Sequence, residues 1–97
     1  MFDIIDGSYV WNAEKEQVNF QRHGIGFTEA AKAFEDPNRL IIEDLAHSRG
    51  EDRFYCIGRV QSDVITVRFT FREELIRIIG AGRWRKWRKY YEEKTKR

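Results

Sequence analysis

The stretch Asp44-x-x-His47-Ser48-x-Gly50-Glu51-x-Arg53 places an imidazole, a carboxylate and a guanidinium within ten residues. These are the groups that move a proton and stabilise an anion in one site. With an unperturbed pKa of about 6.5, His47 can serve as acid or base near neutrality. The plain alternative is a polar loop in which Glu51 pairs with Arg53 and Ser48 caps a turn. Asp44 and His47 are metal-ligand types, but no third and fourth ligands accompany them, so no metal site is expected. The sequence holds no P-loop, GxSxG or paired-carboxylate motif, and no cofactor is expected.

A second group of cations lies further along. In 64–71, Ile65, Val67, Phe69 and Phe71 alternate with Thr66, Arg68 and Thr70; in 75–79, Ile76 and Ile78 alternate with Leu75, Arg77 and Ile79. As strands, these segments put Arg68 and Arg77 on the less apolar face, with Arg72 at the turn. Matching the apolar sets predicts Phe69 opposite Ile76, Val67 opposite Ile78 and Arg68 opposite Arg77, around an Arg72-Glu73 turn. Facing arginines repel, so Glu51 or a bound anion is expected beside them. The third group is Gly80-Ala81-Gly82-Arg83-Trp84-Arg85-Lys86-Trp87-Arg88-Lys89. Arg83, Arg85 and Lys86 crowd the start of a helix, where positive charge opposes the macrodipole and a phosphate relieves it. Lys89 extends this basic arc, while Trp84, Trp87 and Tyr91 form an aromatic stripe suited to packing. Residues 83–97 carry eight Lys or Arg and two acids, a local charge of +6 against −4 for residues 1–82. A basic end on an acidic body selects an anionic partner: nucleic acid, membrane surface or acidic protein.

The elements that must position these groups follow from periodicity. Asn12 can cap a helix over 13–22 that ends at Gly24, and Thr28 a second whose Phe27, Ala30, Ala31 and Phe34 share a face; Asp36-Pro37-Asn38 stops it. Segments 40–45, 53–60, 64–71 and 75–79 read as strands, and the chain returns to helical spacing after residue 83. The expected fold is α+β: two N-terminal helices, an antiparallel sheet of about four strands and a C-terminal basic helix. Ninety-seven residues suffice for one domain, 1–97. A hydrophobic share of 41 % supports a small core, and the lone Cys56 cannot pair within the chain, which fits a reducing, cytoplasmic setting. No apolar run approaches the ~20 residues of a membrane helix.

The pattern also resembles a known family. Trp11, Asn19-x-x-x-His23-Gly24-Ile25-x-Phe27-x-Glu29-Ala30, Phe34-x-Asp36-Pro37, the Asp44 to Arg53 motif, Ile57-Gly58, Phe69-Thr70-x-Arg72 and Arg77-Ile78-Ile79 are similar, in order and spacing, to the BrnT toxins of type II toxin–antitoxin pairs. The resemblance implies a RelE-like fold and a metal-independent endoribonuclease that inhibits translation and is held inactive by a BrnA-like ribbon-helix-helix antitoxin. It puts His47, Glu51, Arg53, Arg72 and Arg77 at the active surface, with Glu51 or His47 as base, the arginines as clamp, and His47 or Tyr91 as acid. Arg68, Arg83, Arg85, Lys86 and Lys89 are the candidate RNA contacts. Where many members carry Ser-Ala-Arg, this chain has Gly80-Ala81-Gly82, losing a hydroxyl and a guanidinium. The alternative reading is therefore a binding module, for RNA or antitoxin, that has lost turnover.

Overall fold

In the computed structural model, which describes residues 2–96, the chain opens with a hairpin of β1 (Asp3–Asp6) and β2 (Tyr9–Asn12). Asp6 pairs with Tyr9 around Gly7-Ser8, and Gly7 takes φ +62°, a conformation glycine adopts without steric cost. The expectation that two helices lead the chain is thus corrected. Helix α1 (Ala13–His23) follows the hairpin, and α2 (Phe27–Ala31) is a short turn continued by a 3₁₀ segment, Lys32–Glu35. Asn12 caps α1 by accepting from the Lys15 N–H at 2.9 Å, and Gly24 closes it in the left-handed conformation. Thr28 does not cap α2. Glu16 does so from the preceding helix, accepting from the Phe27 N–H at 2.7 Å while its other oxygen accepts from the Trp11 indole at 2.9 Å.

After Pro37 come β3 (Leu40–Glu43), a 3₁₀ turn (Leu45–His47), β4 (Arg53–Val60), β5 (Asp63–Arg72), β6 (Leu75–Gly82) and α3 (Arg85–Thr95). The sheet has six strands in the order β1-β2-β6-β5-β4-β3, and β2 runs parallel to β6. It is mixed, not the expected antiparallel sheet of about four strands. The extra strands come from the N-terminal hairpin, whose four-residue strands are too short to show a clear alternation.

The β5–β6 register also departs from expectation. Phe69 faces Ile78, Thr70 faces Arg77 and Arg72 faces Leu75, so Glu73-Glu74 form the turn. A bulge then intervenes, and Arg68 faces Gly80 while Val67 faces Ala81. The apolar matching rule assumed an uninterrupted ladder, and one extra residue on β6, Ile79, absorbs the difference.

Both sheet faces are covered. Against α1, α2 and the 3₁₀ segment lie Trp11, Phe27, Cys56, Ile65, Val67, Phe69 and Ile78. On the opposite face Ile57, Val64 and Tyr91 form a smaller cluster under α3 with Leu40, Ile42 and Trp87 packed against it. Two close fits hold the layers. A Cβ on Gly58 would collide with the Ala33 backbone carbonyl, so only glycine lets the 3₁₀ segment sit on β4. Asn19, the single buried residue of α1, donates to the carbonyls of Ala81 at 2.9 Å and Ile25 at 3.2 Å and accepts from the Ala81 N–H at 3.1 Å.

Two outcomes follow. Asn19→Ala strands both backbone groups of Ala81 and should lower stability by about 2–4 kcal/mol, read from denaturant midpoints at unchanged m. Gly58→Ala should destabilise more than the same exchange at Gly7, whose side-chain direction is open, because the opposing atom is backbone and cannot swing away.

Candidate active site

Alternation along the paired strands sorts the cations. Arg53, Thr70 and Arg77 occupy one cross-strand row, and Tyr55, Arg68 and Gly80 the next, all on the face that carries α3. Arg68 and Arg77 therefore share a face, as expected, but stand in adjacent rows instead of directly opposite. The anionic neighbours are also distributed differently. Glu51 reaches Arg53 at 3.3 Å and Arg72 at 3.5 Å, whereas Arg77 is gripped by both oxygens of Asp3 at 3.0 and 3.1 Å. The Arg77 contact holds the exposed Asp3 carboxyl below the usual carboxylate range. The lone Glu51–Arg53 pair of the plain reading exists, but within a three-residue bridge.

The loop before β4 is fastened to it. The Asp44 N–H donates to the Arg53 carbonyl at 2.7 Å, and the Ser48 hydroxyl accepts from the Arg53 N–H at 2.9 Å and donates to the Asp44 carbonyl at 2.7 Å. This brings Asp44 and His47 to the start of the arginine row. The Asp44 carboxylate, only 8 % exposed, meets His47 Nδ1 at 2.8 Å, while the His47 side chain is 58 % exposed. A carboxylate on Nδ1 fixes the ring and leaves Nε2 facing solvent. Asp44 was visible in the motif only as a ligand type; its role as the imidazole's holder needed the loop geometry. Tyr55, absent from the sequence-based candidates, also belongs here. Burial first, and then the charge of Asp44, push its hydroxyl pKa up.

One expected participant lies elsewhere. Tyr91 is buried in the cluster under α3, and its hydroxyl donates to Asp36 at 2.5 Å. Burial and Asp36 push its pKa up, so it is an anchor and not the acid. Cys56 lies in the core with its thiol pushed up to about 12 by burial, which suits packing. Among the described residues no three His, Cys, Asp or Glu side chains converge as metal ligands.

The basic helix supplies the rim. Its first turn holds Arg85 and Lys86 and no acid, and Trp84 at its N-cap offers no capping side chain. Arg83 is tied to Asp63 at 3.0 Å, and Lys86 lies 4.9 Å over the Trp87 ring. Arg85 and Lys89 are exposed and make no ion pair among the described residues. Gly80 and Gly82 take on a role invisible in the sequence. A Cβ on Gly80 would come within 2.7 Å of Arg68 Nη2, and one on Gly82 within 2.5 Å of the Trp84 ring. The glycines are the floor on which a guanidinium and an indole lie.

Over residues 11–87 the sequence matches the family described as ribonuclease toxin, BrnT, of type II toxin–antitoxin system. The chain belongs to the BrnT family. The match runs from Trp11 through β6 to the first turn of α3 and thus contains His47, Glu51, Arg53, Arg68, Arg72 and Arg77. Membership makes it a ribonuclease toxin with an antitoxin partner. No curated protein sequence matches the chain at a significant level. No helix among the described residues is long and apolar enough to cross a membrane.

Asp36 secures α3, and with it the rim. Beyond Tyr91, it accepts from the backbone N–H of Arg59 at 2.7 Å and of Asn38 at 2.8 Å. Burial alone would raise its pKa, but these bonds outweigh burial and hold it below the ordinary value. A depressed carboxylate contributes stability above its unfolded pKa, lost as pH falls through the folded one. Asp36→Asn should therefore cost about 1–3 kcal/mol at pH 7. Its melting temperature should also fall less steeply than the parent's below about pH 4.

Proposed function

We propose that this chain is a metal-independent endoribonuclease that inhibits translation in the cytoplasm, using the ribose 2′-hydroxyl as nucleophile. The observation that carries the reading is the Asp44-held imidazole beside the Arg53, Thr70 and Arg77 row. In this reaction the 2′-oxygen loses its proton and attacks the adjacent phosphorus, and the 5′-oxygen leaves with a proton. The products are a 2′,3′-cyclic phosphate and a free 5′-hydroxyl. His47 Nε2 is the group suited to moving the proton. Glu51 is the weaker candidate for base because its oxygens are already paired with Arg53 and Arg72. Arg53, Arg72 and Arg77 offer donors to the phosphoryl oxygens as charge builds. Arg85, Lys86 and Lys89 suit the flanking phosphates, and a BrnA-like ribbon-helix-helix antitoxin is the partner that would cover this face.

One observation favours the second reading, a binding module without turnover. Each of Arg53, Arg72 and Arg77 is already engaged by a carboxylate. The measurement that separates the two is cleavage of single-stranded RNA by antitoxin-free protein in excess EDTA, with the product ends identified. The enzyme reading expects cyclic-phosphate ends, a rate lowered roughly 10²–10⁴-fold in His47→Ala, and a comparable loss in Arg77→Ala. Intact RNA that remains bound at high protein concentration overturns the enzyme reading.

A further inference from the structure

One row along the same sheet face from Arg53 and Arg77, a separate feature lies open. Tyr55, Arg68, Trp84 and Trp87 line a slot of ≈ 260 Å³. The rings of Tyr55 and Trp87 lie 5.1 Å apart and tilted by 37°, and Trp84 stays 38 % exposed. Arg68 makes no ion pair among the described residues, in contrast to Arg53, Arg72, Arg77 and Arg83. Trp87 packs against the cluster under α3, but the slot beside it is left open. A core seeks closure, yet here two glycines withdraw their Cβ atoms so that a guanidinium and an indole can lie beside an unfilled space.

We propose that this slot takes one unpaired nucleobase of an RNA strand whose neighbouring phosphate sits on the Arg53 and Arg77 row. The proposal rests on the ribonuclease reading above and names how that site holds its substrate. Three features argue for a base. Its lining is aromatic, and the part-exposed Trp84 offers a ring on which any base stacks. Arg68 presents only donors, which suits the acceptor edge of a base, guanine best of all with its paired O6 and N7. The setting is cationic, with Arg85 and Lys86 in the adjoining helix turn and no carboxylate lining the slot among the described residues. The slot also adjoins the proton-moving group. Tyr55, its wall, lies beside the carboxylate that holds His47, and the two rows stand about 7 Å apart along the strands. A base seated here anchors its ribose-phosphate at the arginine row. The Gly80-Ala81-Gly82 departure is then a specificity device and not a lost function.

The test uses the full chain with an uncleavable probe, a 2′-O-methyl hexanucleotide with guanine at its third position, and the same hexanucleotide made abasic there. Binding is read by tryptophan fluorescence and by competition. The parent should bind the guanine probe roughly 5- to 100-fold more tightly than the abasic one, the range expected for a stacked base. Trp84→Ala and, separately, Gly82→Ala, which displaces the same ring from its floor, should erase most of that difference. The salt dependence should stay unchanged, since no phosphate contact is removed. Thermal melts of both variants identify any that fail to fold. Equal affinity of the folded parent for the two probes overturns the slot while leaving cleavage of RNA intact. Absence of both cleavage and probe binding removes the ribonuclease reading itself. If Trp84→Ala weakens capture of the antitoxin and leaves probe binding untouched, the slot is a protein interface and the proposal is wrong.

Discussion

The arrangement of the whole molecule turns on one side-chain amide. Strand β2 accompanies β6 only at Ile76 and Arg77, and beyond them the edge of β6 has no strand beside it. Asn19 stands in for one, offering its carboxamide to both backbone groups of Ala81. Unpaired buried amides are costly, so this substitution lets β6 continue to Gly82 at full depth. Along this stretch Arg68 faces Gly80, Trp84 turns back over Gly82, and α3 starts where it covers β4 and β5. A helix thus does the work of a strand for one residue, and the functional face is built on that residue.

Charge on this face is balanced before any ligand arrives. Glu51 and Asp3 hold Arg53, Arg72 and Arg77 in place, which limits the repulsion among neighbouring guanidiniums. A phosphate that binds here must compete with carboxylates, so these arginines are pre-positioned and partly masked at once. Arg68 is treated differently. Its support is geometric, a glycine beneath it, and it faces aromatic rings. The face combines arginines held in ion pairs with one held by a glycine and aromatic rings.

Much of this was legible in the sequence, and the exceptions have physical causes. Helix α1 was placed by Asn12 and Gly24, and β4 by its β-branched and aromatic run, since these signals are local. The family resemblance rested on motifs that the fold does collect on one face: His47, Glu51, Arg53, Arg72 and Arg77. The N-terminal hairpin escapes the sequence reading although Asp6-Gly7 is a strong turn signal, because its strands are only four residues long and the first is mostly exposed. The bulge at Ile79 is a property of the ladder and leaves no mark on the alternation of β6. Tyr91 read as a possible acid because spacing alone cannot reveal that Asp36, far away in sequence, fixes its hydroxyl in the core. The glycines read as losses because their function lies in the side chains above them.

The parallel pairing of Tyr9 and Val10 with Ile76 and Arg77 joins the second strand to the sixth, far apart in sequence. Hairpins such as β4–β5 can form as soon as their residues exist, but contacts of such long sequence separation form late and slowly. During synthesis, which proceeds from the N-terminus, His47 and Arg53 therefore emerge well before the strand that carries Arg77. The arginine row stays open on one side, and Asn19 has no edge to complete, until β6 has been made.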